Sequence, residues 1–149
     1  MNIKLKNINK NDFDNIYKIV SQKEIMKFIG NGNTWDKEKT HRFINYCLQE
    51  QKLPDSKREN YYYKIVSNKL VGIIGFHPFI NFKGYFLTIY LDTNEQGKGY
   101  FSKSLNLLID KVKTHKPNIT HILSLVNEKN SKMNIISKFK FKFEKKIKI

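Results

Sequence analysis

Alanine is missing altogether from this sequence of 149 residues, arginine occurs only at Arg42 and Arg58, and cysteine only at Cys47. A lone cysteine excludes a disulfide framework and a cysteine-rich metal site, and it fits a reducing compartment. His41, His115 and His121 show no metal-ligand spacing, so no metal is expected. Long apolar runs are also lacking. The longest, about Leu70 to Phe76, falls far short of a membrane span. Met1 to Ile8 alternates polar and apolar residues, as a strand does, and has no apolar centre of the kind a signal peptide needs. The expectation is a soluble cytoplasmic protein with no membrane partner.

Acidic residues are scarce as well: 13 Asp and Glu face 28 Lys and Arg, giving a formal net charge of +15. Such a surplus attracts nucleic acid, ribosomes or acidic protein tails. It also follows from composition alone. Lys, Asn, Ile, Phe and Tyr are abundant, Ala and Arg are not, and that is the balance A/T-rich codons write. The lysines are scattered, with one dense cluster from Lys138 to Lys148 that alternates with Phe139, Phe141 and Phe143. That alternation predicts a strand with one apolar face and one solvated face. A nucleic-acid reader wants arginines and aromatics together on one face, and with two arginines any such binding is expected to be nonspecific.

What the chain has in quantity is apolar bulk. Hydrophobic residues are 40% of it, with 11 Phe and 8 Tyr, enough for one domain spanning residues 1–149 with a sizeable core. Ile3 to Ile8 reads as a strand. Asn11, with Asp14 three residues on, is the expected cap of a helix carrying Phe13, Ile16, Tyr17 and Val20 at helical spacing. Gln22 to Ile29 reads as a second short helix, broken by Gly30-Asn31-Gly32-Asn33. Asp36 and Glu38 favour a new helix start, and Phe43, Ile44, Cys47 and Leu48 give that helix its buried side. Cys47 on that face is read as a small buried hydrophobe. Tyr61 to Val66 and Leu70 to Phe76 form a predicted hairpin around Ser67-Asn68-Lys69, and Tyr85 to Leu91 is the next strand. Leu105, Leu108, Ile109 and Val112 mark a helix that Pro117 ends. Ile119 to Val126 then reads as a strand, Lys132 to Lys138 as a short helix, and Phe139 to Ile149 as a closing strand.

The segment Leu91-Asp92-Thr93-Asn94-Glu95-Gln96-Gly97-Lys98-Gly99-Tyr100-Phe101-Ser102 lies between a strand and an amphipathic helix. A Gly-x-Gly turn opening a helix concentrates free N–H groups and the positive end of the helix dipole, which suits a phosphate or pyrophosphate. A P-loop is excluded because Lys98 is followed by Gly99 rather than Ser or Thr, and a dinucleotide fingerprint because Ser102 stands where its third glycine belongs. What remains resembles the Gln/Arg-x-x-Gly-x-Gly/Ala acetyl-CoA signature of GNAT-superfamily N-acetyltransferases. Two more segments are similar to the branch that includes ribosomal-protein N-terminal acetyltransferases: Lys23-Glu24-Ile25-Met26-Lys27-Phe28-Ile29-Gly30, and Lys138-Phe139-Lys140-Phe141.

The resemblance covers nearly the whole chain. It implies an α/β (α+β layered) fold: a central mixed, mostly antiparallel sheet with helices on both faces, in the order β-α-α-β-β-β-α-β-α-β. It further implies acetyl-CoA as co-substrate. Backbone groups around Ile89, Tyr90 and Leu91 would pair with the pantetheine arm as an added strand would. The loop from Gln96 through Gly97, Lys98, Gly99, Tyr100, Phe101 and Ser102 would surround the pyrophosphate, and Asn130, or alternatively Asn127, would contact the cofactor arm. Lys98 either adds a charge there or is a solvated loop lysine. The family's third small residue is Phe101 here, which either crowds the pyrophosphate or packs on the inner face of the helix.

The chemistry departs further from the family. Acyl transfer needs a neutral amine, yet an alkylamine of pKa about 10 is protonated at neutral pH. The family's strand Glu has no counterpart in Phe86-Leu87-Thr88-Ile89-Tyr90, and its final-helix Tyr falls on Ile136. The substitutes are His77, at the end of the hairpin, and Tyr90; each has an ordinary reading, solvation for one and core packing for the other. Orientation and a strand amide on the thioester carbonyl are the remaining mechanism. Trp35, Tyr61, Tyr62 and Phe79 belong to segments that flank the substrate cleft in relatives. The expected activity is acetyl transfer to a primary amine, a protein N-terminus or a small molecule, by a monomer or homodimer. The alternative is a CoA-binding module without catalysis.

Overall fold

The structure is a computed structural model that describes residues 2–27, 29, 32–78, 84–118, 121–126 and 146–148. Strand β1 (Lys4–Asn7) leads into helices α1 (Phe13–Val20), α2 (Lys23–Met26) and α3 (Lys37–Gln51). Strands β2 (Tyr61–Ser67), β3 (Lys69–Pro78) and β4 (Gly84–Leu91) follow, then helix α4 (Tyr100–His115), β5 (His121–Val126) and β6 (Lys146–Lys148). The sheet runs β1-β2-β3-β4-β5-β6 in space. Neighbours from β1 to β4 are antiparallel; β4–β5 and β5–β6 are parallel. The mixed, mostly antiparallel sheet expected from the sequence is therefore present. The expected helix at Lys132–Lys138, and the part of the closing strand before Lys146, lie outside the described residues.

The cap falls at Asn9 instead of Asn11, and on a short 3₁₀ turn ahead of α1: the Asn9 side chain accepts from the Asn11 N–H at 2.9 Å, and the Asn9 N–H donates to Asp12 Oδ2 at 2.7 Å. Both Asn-x-x-Asp spacings occur in the sequence, and tertiary packing selects between them. Asp12 is buried and meets Lys64 Nζ of β2 at 2.9 Å, so a short 3₁₀ turn over Lys10–Asp12 precedes α1. The second helix is also shorter than expected, a single turn with Ile25 and Met26 buried. Asp36 caps α3 as its position suggests, accepting from the Lys39 N–H at 2.7 Å.

Alternation along the strands builds two cores, one on each face of the sheet. Tyr61, Tyr63, Ile65, Ile74, Phe76, Leu87 and Ile89 face α4, whose Leu105, Leu108, Ile109 and Val112 pack onto them. Ile73 and Tyr90 face the other way, onto Ile16, Ile19 and Val20 of α1 and Ile44 and Cys47 of α3. The longest apolar run of the chain is thus the central strand β3, covered on both faces. Complete burial of each such side chain contributes roughly 1.5–3 kcal/mol. Burial also pushes the Cys47 thiol up to about 12, consistent with an inert packed side chain.

Candidate functional site

The glycine segment begins where β4 ends. The Asp92 N–H donates to Val71 O at 3.0 Å, which ties the loop start to β3, and Asp92 Oδ1 accepts from the Asn94 N–H at 3.3 Å in a 3₁₀ turn over Thr93–Glu95. Gln96 Nε2 donates back to Leu91 O at 3.3 Å, folding the loop on itself. Gly97 and Gly99 then take φ of 78° and 85°, the left-handed region where a Cβ is strained. Gly99 stands at the N-cap of α4 with no side-chain cap. Among the described residues, the N–H groups of Gly97 through Ser102 have no hydrogen-bond acceptor. A 16-residue helix therefore points its uncompensated positive end into this loop.

Beside the loop, β4 parts from β5. Their pairing covers Gly84↔His121, Tyr85↔Ile122 and Phe86↔Leu123 and stops there, while β4 stays paired with β3 out to Leu91. From Ser124 onward β5 pairs with β6 instead. One edge of Leu87–Leu91 is consequently left without a described partner strand, next to the glycine loop. An unpaired strand edge is a ready acceptor for an extended ligand arm.

Charges at the loop are compensated within it. Glu95, 8% exposed at its side chain, meets Lys98 Nζ at 3.2 Å and Lys69 Nζ at 3.4 Å. The Lys98 hydrogen bond above all, reinforced by Lys69, holds the Glu95 carboxyl below its ordinary range despite burial. Lys98, 54% exposed, pairs with Glu95, and its ammonium braces the loop. Tyr100 is buried with its hydroxyl on Ser67 Oγ at 3.4 Å, and Phe101 packs with Leu91 and Leu107 against the α4 core.

On the α1–α3 face, a cleft of about 470 Å³ lies between α3 and the strands. Trp35, Phe43, Tyr62 and Tyr90 form its aromatic wall, with Trp35 edge-on to Tyr90 at 5.6 Å and Phe43 edge-on to Tyr62 at 5.2 Å. His77 also lines it, with Nδ1 3.3 Å from Tyr62 Oη and its ring 5.2 Å from Phe86. Partial burial lowers the His77 pKa, so the ring is neutral at pH 7. Burial pushes the Tyr62 hydroxyl up to about 12, against a smaller opposing effect of its hydrogen bond with Thr88, and it raises Tyr90 further. Both tyrosines are therefore protonated donors. A larger surface recess of about 590 Å³ near Asn7 and Lys52 lies along α3 and contains none of these groups.

The structure thus brings His77 and Tyr90 into one cleft, and gathers Ile89, Leu91, Gln96, Gly97, Lys98, Gly99, Tyr100, Phe101 and Ser102 around the strand edge and loop. Tyr61 is the exception among the expected cleft aromatics. It is 1% exposed on the opposite face, one pleat away from Tyr62. Asn130, Asn127, Ile136 and Phe79 lie outside the described residues. The buried stripe of α3 reveals Phe43 but not its cleft neighbours Lys39, Arg42 and Tyr46; the i, i+3, i+4, i+7 spacing of the four is the sequence signal that joins them. Among the described residues, no cluster of three His, Cys, Asp or Glu side chains has metal-binding geometry, and no helix is long and apolar enough to cross a membrane.

A model of the GNAT acetyltransferase domain matches residues 2–142. Solved structures share the fold. An acetyltransferase of the GNAT family from Bacillus anthracis aligns with a TM-score of 0.74 at 18% identity, over 93% of this chain and 78% of that one. A Salmonella typhimurium acetyltransferase that modifies the N-terminal serine of ribosomal protein L7/L12 aligns at 0.71 and 18%, over 91% and 77%. A spermidine N-acetyltransferase from Vibrio cholerae, in complex with CoA and spermine, aligns at 0.71 and 16%, over 91% and 78%. At these identities the likeness is one of fold. No curated protein matches in sequence.

Proposed function

Because this chain belongs to the GNAT acetyltransferase family, we propose that it transfers an acetyl group from acetyl-CoA directly to a primary amine bound in the aromatic cleft. The observation that carries the reading is the pairing of two features at one place among the described residues: a β4 edge without a described partner strand, and N–H groups without a described acceptor at the left-handed glycines opening α4. Both suit the two ends of the cofactor. The Leu87–Leu91 edge offers backbone groups to a pantetheine amide chain, and the Gly97–Ser102 N–H groups offer donors to a pyrophosphate. A Cβ built at Gly97 meets nothing within 4 Å, so the loop leaves open space where a phosphate would sit.

Bound acetyl-CoA supplies the acetyl group as a thioester, whose C–S bond breaks as the amine nitrogen forms its C–N bond and whose sulfur leaves with a proton derived from that amine. The residues of this chain orient and deprotonate. Trp35, Tyr62 and Tyr90 shape the amine site. His77, neutral through burial, takes the amine proton at Nε2 when its Nδ1–H donates to Tyr62 Oη. Tyr90 lines the same cleft as a protonated hydroxyl. The acceptor is a protein N-terminus or a small amine, activities that the structural relatives acting on ribosomal protein L7/L12 and on spermidine represent between them. Cytoplasmic acetyl-CoA fits this reading.

The missing strand carboxylate keeps a second reading, a CoA-binding module without turnover. One experiment separates the readings. Acetyl-CoA is expected to raise the melting temperature of the parent, and Gly99→Glu to abolish that shift, since a carboxylate at the helix N-terminus repels and obstructs a pyrophosphate. Thiol release over a panel of amines then distinguishes enzyme from binder. Equal thermal response in parent and variant would remove the cofactor site from this loop.

A further inference from the structure

We propose that the cleft selects acceptor amines carrying an anion, a carboxylate or a phosphate, close to the amino group, and that Lys39 and Arg42 make the selection. The inference rests on the acetyl-transfer reading and names the substrate class of that same cleft. Helix α3 presents Lys39, Arg42, Phe43 and Tyr46 to the cleft from one face. Lys39 Nζ stands 5.0 Å from the centre of the Trp35 ring, which holds an ammonium at the aromatic wall. Lys39 and Arg42 are the permanent charges among the described lining residues, and both are positive. The other titratable groups there are His77, whose pKa burial lowers, and the hydroxyls of Tyr46, Tyr62 and Tyr90, which are protonated at neutral pH as tyrosines ordinarily are.

Three carboxylates at α3 lie close by, and none of them lines the cleft: the cap Asp36 accepts the Lys39 N–H with Oδ1 at 2.7 Å. Glu38 reaches Arg42 at 2.9 Å, but with side chains 80% and 64% exposed the pair is a weakly held surface contact. A bidentate carboxylate or phosphate competes well for the same guanidinium. Glu50 accepts the Tyr46 hydroxyl at 3.3 Å and does not line the cleft. A polyamine entering here meets two like charges and no lining acid. An amine with an adjacent anion has its amino group near His77 and its anion against α3. The net charge of +15 biases encounter the same way, drawing anionic substrates and repelling cationic ones.

Trp35 is the single tryptophan of the chain and lines the cleft, so its fluorescence reports occupancy without turnover. The parent is titrated, with and without CoA, with O-phosphoethanolamine, ethanolamine, spermidine, and two peptides that begin with Ser followed by Asp-Glu or by Lys-Arg. The anionic members are expected to bind at least about tenfold tighter than their neutral or cationic counterparts, a difference of about 1.4 kcal/mol. Preference in the phosphoethanolamine pair points to a small substrate, and preference in the peptide pair to an acidic N-terminus. The exposed double substitution Lys39→Gln/Arg42→Gln, with folding checked by circular dichroism, should bring the anionic-to-neutral ratio close to one. Spermidine binding as tightly as the anionic members, no fluorescence response to any of them, or a double variant that keeps the preference would each overturn the proposal. Loss of the acetyl-CoA thermal shift would instead overturn the transfer reading, so the two failures are separable.

Discussion

In the proposed transfer, a single contact decides whether His77 can act as the base. A Tyr62 hydroxyl donating to Nδ1 leaves the ring proton on Nε2, whereas Nδ1–H donating to Tyr62 Oη frees Nε2 as a base. Burial has lowered the His77 pKa from 6.5, so turnover governed by this base rises with pH through the acid range and is level at neutrality. His77→Ala is expected to lose about 10²-fold in turnover together with that acid limb, while acetyl-CoA affinity is retained. An unchanged rate and pH profile would leave His77 as a packing residue. Stability follows the same sign. Between the lowered folded pKa and 6.5 the unfolded chain binds the proton more readily, so the His77 contribution is unfavourable in acid and disappears above about pH 6.5. Urea midpoints of parent and variant should therefore diverge on acidification and not on alkalinisation.

At the scale of the element, the cleft depends on a missing side chain in β3. Gly75 pairs with Tyr62 across β2–β3 and with Thr88 across β3–β4, and a Cβ placed on it runs into the Tyr62 ring. That bare position lets the tyrosine lie over the strand, where its hydroxyl reaches His77. Gly75→Ala is expected to cost about 1–3 kcal/mol through overpacking and to displace Tyr62 from His77. Denaturant unfolding, together with loss of the acid limb of the rate profile in a folded variant, tests both parts. The loop on the other side of β4 uses different means to the same end. Glu95, Lys98, Lys69 and Gln96 lock its base, so the glycines and the helix start they expose are held open.

At the scale of the molecule, the question is what +15 charges do. The described cations are dispersed, several in ion pairs such as the long-range Lys64–Asp12 and the local Lys27–Glu24, and no arginine cluster forms: Arg42 stands at the cleft and Arg58 is 4% exposed beside Tyr63. Binding to duplex DNA is accordingly expected to be weak, indifferent to sequence, and lost steeply as salt rises from about 50 to 200 mM. Fluorescence anisotropy with two unrelated duplexes measures it. Tight binding to one sequence at physiological salt would make the charge a recognition device instead of a consequence of composition.

Local chemistry is legible in the order of the residues. Helical spacing marks Leu105, Leu108, Ile109 and Val112, period-two alternation marks the strands, Asp36 marks a cap, and the glycines with their flanks mark a left-handed turn at a helix start. Each of these signals is complete within a few residues, so β1 to β5, the long helices α3 and α4 and the glycine turn are legible in the chain alone. The choice between two Asn-x-x-Asp spacings as the capping box ahead of α1 is not, since Lys64, distant in sequence, holds Asp12. Folding in three dimensions also separates Tyr62 in the cleft from Tyr61 in the opposite core, sets Lys98 on Glu95, and brings α3 over His77 and Tyr90. Those outcomes depend on strand register and on which helix covers which face, and long-range packing fixes both.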